Sequence, residues 1–171
     1  MKWSTIAASE PVLGAVVSDS LIGPGVLLAG TIRRDGSARI SGAEPLVMDG
    51  DLWLSMMRTS AKVMDLVRDP RILLHSIVTG PEPGAEVKVR GTVRAEDDRE
   101  VQRRYAAAVS AQIGWRPVVG EFALFVVEVD DAAVLLGVSK GRISQLRGGP
   151  AGQSASAGRS TSAARRTGTD G

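Results

Sequence analysis

Arg58, Thr59, Ser60 and Lys62 put two cations and two hydroxyls at the start of a stretch whose apolar pattern predicts a short helix over 60–68. A helix N-terminus carries a partial positive charge, so acidic residues are the ordinary choice there and cations are mildly unfavourable. An anion such as phosphate, seated among these side chains, would resolve the conflict. The alternative is that both cations reach into solvent, and the helix alone does not decide between the two. Little else in the chain offers chemistry. His75 is the single histidine and lies in an apolar stretch without a Ser/Asp partner pattern, which points to a structural role. Glu96, Asp97, Asp98 and Glu100 cluster, but capping and solvation account for them without a metal. There is no cysteine, hence no disulfide, thiolate ligand or Cys nucleophile. No Walker loop, GxGxxG or zinc spacing occurs. No catalytic residue is assigned, and no metal is expected. A chain without its own acid, base or nucleophile borrows its chemistry from a cofactor. A phosphorylated cofactor at residues 58–62 is the economical hypothesis, with Arg39 brought to the same place by the preceding strands.

The elements that must position these residues are mostly strands. Leu13, Val16, Val17 and Leu21 form the stripe of a helix over 9–22, with Ser9 as N-cap and Pro11 in its first turn. Strands are expected at 26–32 and 38–43, joined through Asp35-Gly36, and at 45–48 and 52–56, joined through Asp49-Gly50. The run Ser41 to Pro45 reads as a strand exit. Pro70 ends the helix over 60–68, and a strand over 72–78 follows, then a loop over 79–84. Residues 86–95 alternate, with Val87, Val89, Gly91, Val93 and Ala95 on one face and Lys88, Arg90, Thr92 and Arg94 on the other. Asp97 or Asp98 caps a helix ending at Gly114, with Val101, Tyr105, Val109 and Ile113 on one side. Trp53 and Trp115 are expected in a core or an interface. A strand pair over 122–129 and 132–138 turns at Asp130-Asp131, and a short strand over 142–147 closes the series. Seven to nine antiparallel strands with three helices would curl into a barrel.

The chain has 171 residues, read as one domain over 1–147 and a disordered Gly/Ser/Ala/Arg-rich tail over 148–171. The pI of about 9.4 invites a nucleic-acid reading. However, the whole excess of charge, +2, lies after residue 150, and a balanced core lacks the basic stripe of a nucleic-acid binder. A basic arm for nucleic acid or a partner is the lesser reading of the tail. No apolar run approaches the ~20 residues of a membrane span. No signal peptide is evident, and the lack of cysteine fits a cytoplasmic location.

Asp35-Gly36-Ser37-Ala38-Arg39-Ile40-Ser41, then Asp49-Gly50-Asp51-Leu52-Trp53-Leu54-Ser55, then Ser60-Ala61-Lys62 and Arg68-Asp69-Pro70-Arg71 resemble the pyridoxamine 5'-phosphate oxidase-like, FMN-binding split-barrel superfamily. The likeness is closest to its small actinobacterial-type members. It extends from about Val26 to Arg94, and more weakly to Val138. The resemblance implies a mainly β (α+β) fold, an antiparallel split β-barrel with a few peripheral helices. It implies a homodimer with FMN, or alternatively a deazaflavin, at the interface, and a small-molecule substrate. A few relatives bind haem or nothing. Arg39 matches the strand arginine that meets the flavin phosphate. Ser60 and Lys62 match a Ser-Arg-Lys phosphate motif in which Ala61 replaces the arginine, with Arg58 as a substitute. Ser55 and Met56 match the strand end along the ribityl chain and ring. Ser41 and Thr59 complete the expected cofactor set. The Arg-Leu-x-Pro substrate motif of true pyridoxamine phosphate oxidases has only a remote echo in 146–150. The expected function is thus a flavin- or deazaflavin-dependent oxidoreductase, with a non-catalytic flavin-binding or sensor module on the same fold as the alternative.

Overall fold

The computed structural model describes residues 1–77, 86–114, 116–139 and 142–148. The elements run α1 (Trp3–Ser9), α2 (Pro11–Val17), a π-turn (Ser18–Ile22), β1 (Leu27–Ile32), β2 (Ala38–Met48), β3 (Asp51–Met57), α3 (Ala61–Arg68), β4 (Arg71–His75), β5 (Glu86–Glu96), α4 (Arg99–Ile113), β6 (Phe122–Ser139) and β7 (Arg142–Gly148). The strands follow the order β3-β2-β1-β4-β5-β6-β7, and β6 also pairs with β3. That second pairing closes six strands into an antiparallel barrel and leaves β7 attached to the far half of β6. The α+β split barrel expected from the sequence is the fold observed.

Closure works because two strands bend and change partners. Residues 38–43 of β2 pair with β1, and residues 44–48 pair with β3. The two short strands expected at 38–43 and 45–48 are therefore one strand that bends where it passes from one neighbour to the next. Similarly, Asp130-Asp131 is not a hairpin. β6 runs through it, and the register opposite Arg90 and Gly91 jumps from Asp131 to Val129, making Asp130 the extra residue of a bulge. Gly91 is required there, because a Cβ would lie 2.2 Å from the carbonyl oxygen of Glu128. The Asp49-Gly50 turn has positive φ at both residues, 55° and 79°, as a two-residue hairpin of this twist demands.

Two apolar layers hold the barrel. Inside it, Leu27, Ala29, Leu52, Leu54, Leu74, Val89, Phe125 and Val127 pack together, and Trp3, Ile6, Leu13, Val17 and Leu21 of the N-terminal helices join the same core. Outside it, Tyr105 and Val109 of α4 cover Leu46, Trp53, Phe122, Leu124 and Val126. β3 and β6 are thus buried on both faces, which explains their nearly continuous apolar sequence. Trp53 belongs to this outer layer and donates from its indole nitrogen to the carbonyl of Met48 at 3.0 Å. Each large side chain buried in these layers contributes about 1.5–3 kcal/mol.

Other expectations are corrected at the ends of helices. The helix expected over 9–22 is preceded by α1, and Ser9 closes α1 rather than capping α2, its hydroxyl donating to the Ile6 carbonyl. Glu10 occupies the α2 N-cap and Pro11 its first turn. Asp98 caps α4 by accepting from the amides of Glu100 and Val101, and Gly114 ends it in the left-handed region. Ile113 is exposed, so the α4 stripe stops at Val109. The strand expected over 72–78 is observed as β4, ending at His75. The loop expected over 79–84, Trp115 and the tail beyond Gly148 lie outside the described residues. Among the described residues, no helix is long and apolar enough to cross a membrane.

Candidate functional site

α3 is short, and its sequence places its charges unusually. Val63, Asp65 and Leu66 face inward, while Met64 and Val67 face solvent. Asp65 is only 3% exposed and stays there because three side chains satisfy it. Thr31 of β1 donates to it at 2.9 Å, Arg39 of β2 at 2.6 Å, and Arg68 approaches its other oxygen at 3.5 Å. Burial pushes the Asp65 carboxyl up, but these hydrogen bonds and the charges of Arg39 and Arg68 outweigh it and hold it below its ordinary value. Arg68 also donates to the Ile32 carbonyl. The helix is thereby tied to β1 and β2.

The other end of α3 opens on a cleft of about 710 Å³. Ser60 takes the N-cap position with extended backbone (φ −70°, ψ 141°), yet its hydroxyl makes no capping bond. That oxygen is buried without any partner among the described residues. Lys62 is the second residue of the helix, its ammonium donating to the Gly42 carbonyl. Burial lowers the Lys62 pKa, partly opposed by the negative charge of Glu44. The first amides of a helix have no intrahelical acceptor, so the amides of Ala61 and Lys62 add donors to the same spot. Ser55 and Met56 form the floor, where the buried Tyr105 hydroxyl donates to Ser55 Oγ at 3.0 Å. Burial raises the Tyr105 pKa, with the Ser55 hydrogen bond acting against it. Val26, Phe122 and Val118 supply apolar walls, and Arg116, Glu44 and Glu121 a polar rim.

Of the eight residues singled out from the sequence, Ser55, Met56, Ser60 and Lys62 line this cleft. Arg39, Ser41, Arg58 and Thr59 do not. Arg39 and Ser41 lie nearer the start of β2, and it is the next residues, Gly42, Ala43 and Glu44, that reach the cleft. Arg39 instead spends its charge on Asp65. The hydroxyl of Ser41 is, like that of Ser60, buried without a partner among the described residues. Arg58 donates to the carbonyl of Gly120 at 2.8 Å, and Thr59 is exposed in the turn. Sequence reasoning missed Glu44, Arg116, Glu121 and Phe122. Glu44 sat in what looked like a strand exit, and the others arrive through the pairing of β3 with β6, which aligns Met57 with Phe122. His75 is held on both ring nitrogens, by the Ser76 carbonyl at 2.6 Å and by Glu86 at 3.0 Å, and does not line the cleft. No group of three metal-ligating side chains occurs among the described residues.

The family model for pyridoxamine 5'-phosphate oxidase matches residues 15–135, which span β1 through most of β6 and every residue of the cleft. The chain belongs to the pyridoxamine 5'-phosphate oxidase family. Among solved structures, the fold of this family member is similar to a putative pyridoxamine 5'-phosphate oxidase from Listeria innocua, with a TM-score of 0.60 and 14% identity over 76% of this chain and 99% of that one. It is also similar to a heme binding protein from Mycobacterium smegmatis, with a TM-score of 0.57 and 20% identity over 77% of this chain and 57% of that one. An F420 reductase matches with a TM-score of 0.54 and 16% identity over 67% of this chain and 94% of that one. Curated protein sequences give no match. At these identities the structural likenesses establish the fold of the pyridoxamine 5'-phosphate oxidase family and leave ligand choice to the cleft.

Proposed function

We propose that the chain binds a phosphate-bearing flavin, FMN or alternatively a deazaflavin, and uses it to oxidise or reduce a small molecule. The observation that carries this reading is the unpartnered Ser60 hydroxyl beside the Lys62 ammonium, at a helix start that opens on a largely apolar cleft of about 710 Å³. The donor set suits a phosphate: an ammonium, a hydroxyl with no other partner, and amides at the positive end of a helix. Met56, Phe122 and Val26 would shield a flat ring from water, and Ser55, fixed by Tyr105, would offer it a hydroxyl. The flavin, when bound, would supply the hydride chemistry, so the protein need only hold and orient it. Haem fits less well, because the only histidine is bonded on both nitrogens away from the cleft.

The reading includes a homodimer. Gly30 of β1 pairs with Ile40 on one side and Leu73 on the other, and such partners share a face of the sheet. Ile40 is 70% exposed and Leu73 42% exposed, with no cover among the described residues. One rung along, Gly42 and Leu28 continue this face to the cleft wall. A second copy seated there would bury the apolar face and close the cleft. A cysteine-free chain of this kind fits the reducing cytoplasm.

Titration of the purified protein with FMN and with deazaflavin, followed by absorbance and fluorescence, tests the binding. Charge-assisted bonds contribute about 1.5–3 kcal/mol, so Lys62→Ala should weaken binding by roughly tenfold to a hundredfold. Unchanged affinity would remove Lys62 from the site, and failure of both flavins to bind would sink the reading. A flavin store or sensor on the same cleft is the second reading, favoured by the lack of a histidine among the described residues that line it. Turnover of bound flavin with NAD(P)H or a reduced deazaflavin separates the two.

A further inference from the structure

The stretch 116–121 forms one side of the cleft through Arg116, Pro117, Val118 and Glu121. It has no regular structure beyond a turn in which the Glu121 amide donates to the Val118 carbonyl at 3.0 Å. Its position is instead imposed from behind, by three side chains that grip its backbone. Arg58 Nε donates to the Gly120 carbonyl at 2.8 Å. Arg99 donates to the Val119 carbonyl at 3.3 Å. The Gly120 amide donates to Gln102 Oε1 at 3.1 Å, while Gln102 Nε2 donates to the Glu96 carbonyl, also at 3.1 Å. Gln102 is 1% exposed, a fully buried amide in the outer layer of α4. A buried polar group of this kind is costly unless it is satisfied, and both ends of Gln102 are satisfied by backbone, one of them in this loop. Gly120 has φ +91°, and a Cβ there would lie 2.2 Å from the Arg99 guanidinium. The backbone and the side chains that hold it are therefore fitted to each other.

We propose that Gln102, with Arg58, is a positioning residue that sets the distance between the 116–121 wall and the Ser60/Lys62 end of the cleft. Neither lines the cleft. Arg58 therefore acts on ligand binding through the loop, and its charge does not serve a phosphate. The inference builds on the flavin reading, and it makes the whole wall, Arg116 and Val118 included, the part of the cleft that selects what fits beside the ring.

The test compares Arg58→Ala, Gln102→Met and Lys62→Ala on FMN and on riboflavin, which lacks the phosphate. A residue that contacts the phosphate changes the ratio of the two affinities, whereas a residue that places the wall changes both together. Arg58→Ala and Gln102→Met should each weaken FMN and riboflavin alike, by roughly threefold to tenfold, as expected for loss of a single bond. Lys62→Ala should weaken FMN only. Amide hydrogen exchange of the unliganded protein provides a readout that needs no flavin. Gly120 and Glu121 should exchange faster in Arg58→Ala and Gln102→Met, while the amides of β1 and β2 keep their wild-type rates. Gln102→Met fills the same volume, and Arg58 is exposed, so at least one of the two variants retains the fold. A selective loss of FMN over riboflavin in Arg58→Ala would overturn the proposal, and so would unchanged exchange at Gly120 in both variants. If wild type binds neither flavin while exchange at Gly120 still responds, the flavin reading fails and the anchoring of the wall stands.

Discussion

At the scale of single residues, the cleft is governed by one lysine in two opposed fields. Burial removes water from the Lys62 ammonium and lowers its pKa, and Glu44 restores only part of the loss. A phosphate dianion seated beside Ser60 would add a much closer negative charge and raise the Lys62 pKa again. Binding is then linked to proton uptake once pH exceeds the lowered value of the free protein. The sign follows directly. Above the second pKa of the phosphate, about 6, affinity for FMN should be flat while Lys62 is charged in both states. It should decline by up to tenfold per pH unit between its free and bound pKa values. Riboflavin, without a phosphate, should show no such decline, and neither should FMN binding to Lys62→Ala. Isothermal titration in two buffers of different ionisation enthalpy would count the proton. Parallel pH profiles for FMN and riboflavin would place Lys62 elsewhere.

At the scale of elements, the site depends on how α3 is fastened. Its inward face carries Asp65, and the helix sits on the barrel through Thr31, Arg39 and Arg68 as much as through Val63 and Leu66. Asp65→Asn keeps the shape but leaves the Arg39 guanidinium without its counter-charge. Breaking a fully buried pair costs about 3–5 kcal/mol. The Arg39 side chain is 28% exposed, so a loss of about 2–3 kcal/mol in urea unfolding at pH 7 is the expected result. The Asp65 pKa is depressed in the folded state, so its contribution is complete above the unfolded value of about 3.9 and lost as pH falls through the folded one. The difference between wild type and Asp65→Asn should therefore shrink in acid; a constant difference down to pH 2 would rule the ion pair out as its source. This contact also shows what the sequence could convey. The Asp-Gly turns, the alternation of β5, the Asp98 cap and the Pro70 stop are local signals, and each marks a real feature. The pairing of Arg39 with a residue 26 positions away leaves no local trace, so a cation that looks available for phosphate is already engaged. The same holds for Arg58, whose partner at Gly120 is 62 positions distant. Gly42 and Pro45 resembled a break, yet β2 bends there and runs on, because its two halves serve different neighbours.

At the scale of the whole molecule, one face of the sheet carries two exposed apolar side chains on the strands either side of β1, Ile40 and Leu73. The inner layer and the α4 layer account for most large apolar residues, but Ile40 and Leu73 flank Gly30 on the outside with nothing above them among the described residues. Next to them the wall of the cleft ends at Val26, 42% exposed, which a Cβ on Gly42 would just touch. A stable interface of standard size covers roughly 800 Å² on each partner and has a core depleted of charge. A rung of Ile40, Gly30 and Leu73, with Leu28 and Gly42 beyond it, supplies an uncharged strip, bordered by His75 beside Leu28 and by Arg90 beside Leu73. A carboxylate buried in that strip without a partner would cost several kcal/mol per copy, and both copies of a two-fold dimer would carry it. Ile40→Asp and Leu73→Asp should each shift the protein from dimer to monomer in light scattering at micromolar concentration. Both side chains are exposed in the single chain, so the monomer should retain its fold and its circular dichroism. If the second subunit completes the cleft, flavin affinity should fall with the dimer and recover as protein concentration rises. A monomeric Leu73→Asp that binds FMN as wild type does would show that one chain holds the cofactor unaided. A dimer that survives both substitutions would place the interface on another face.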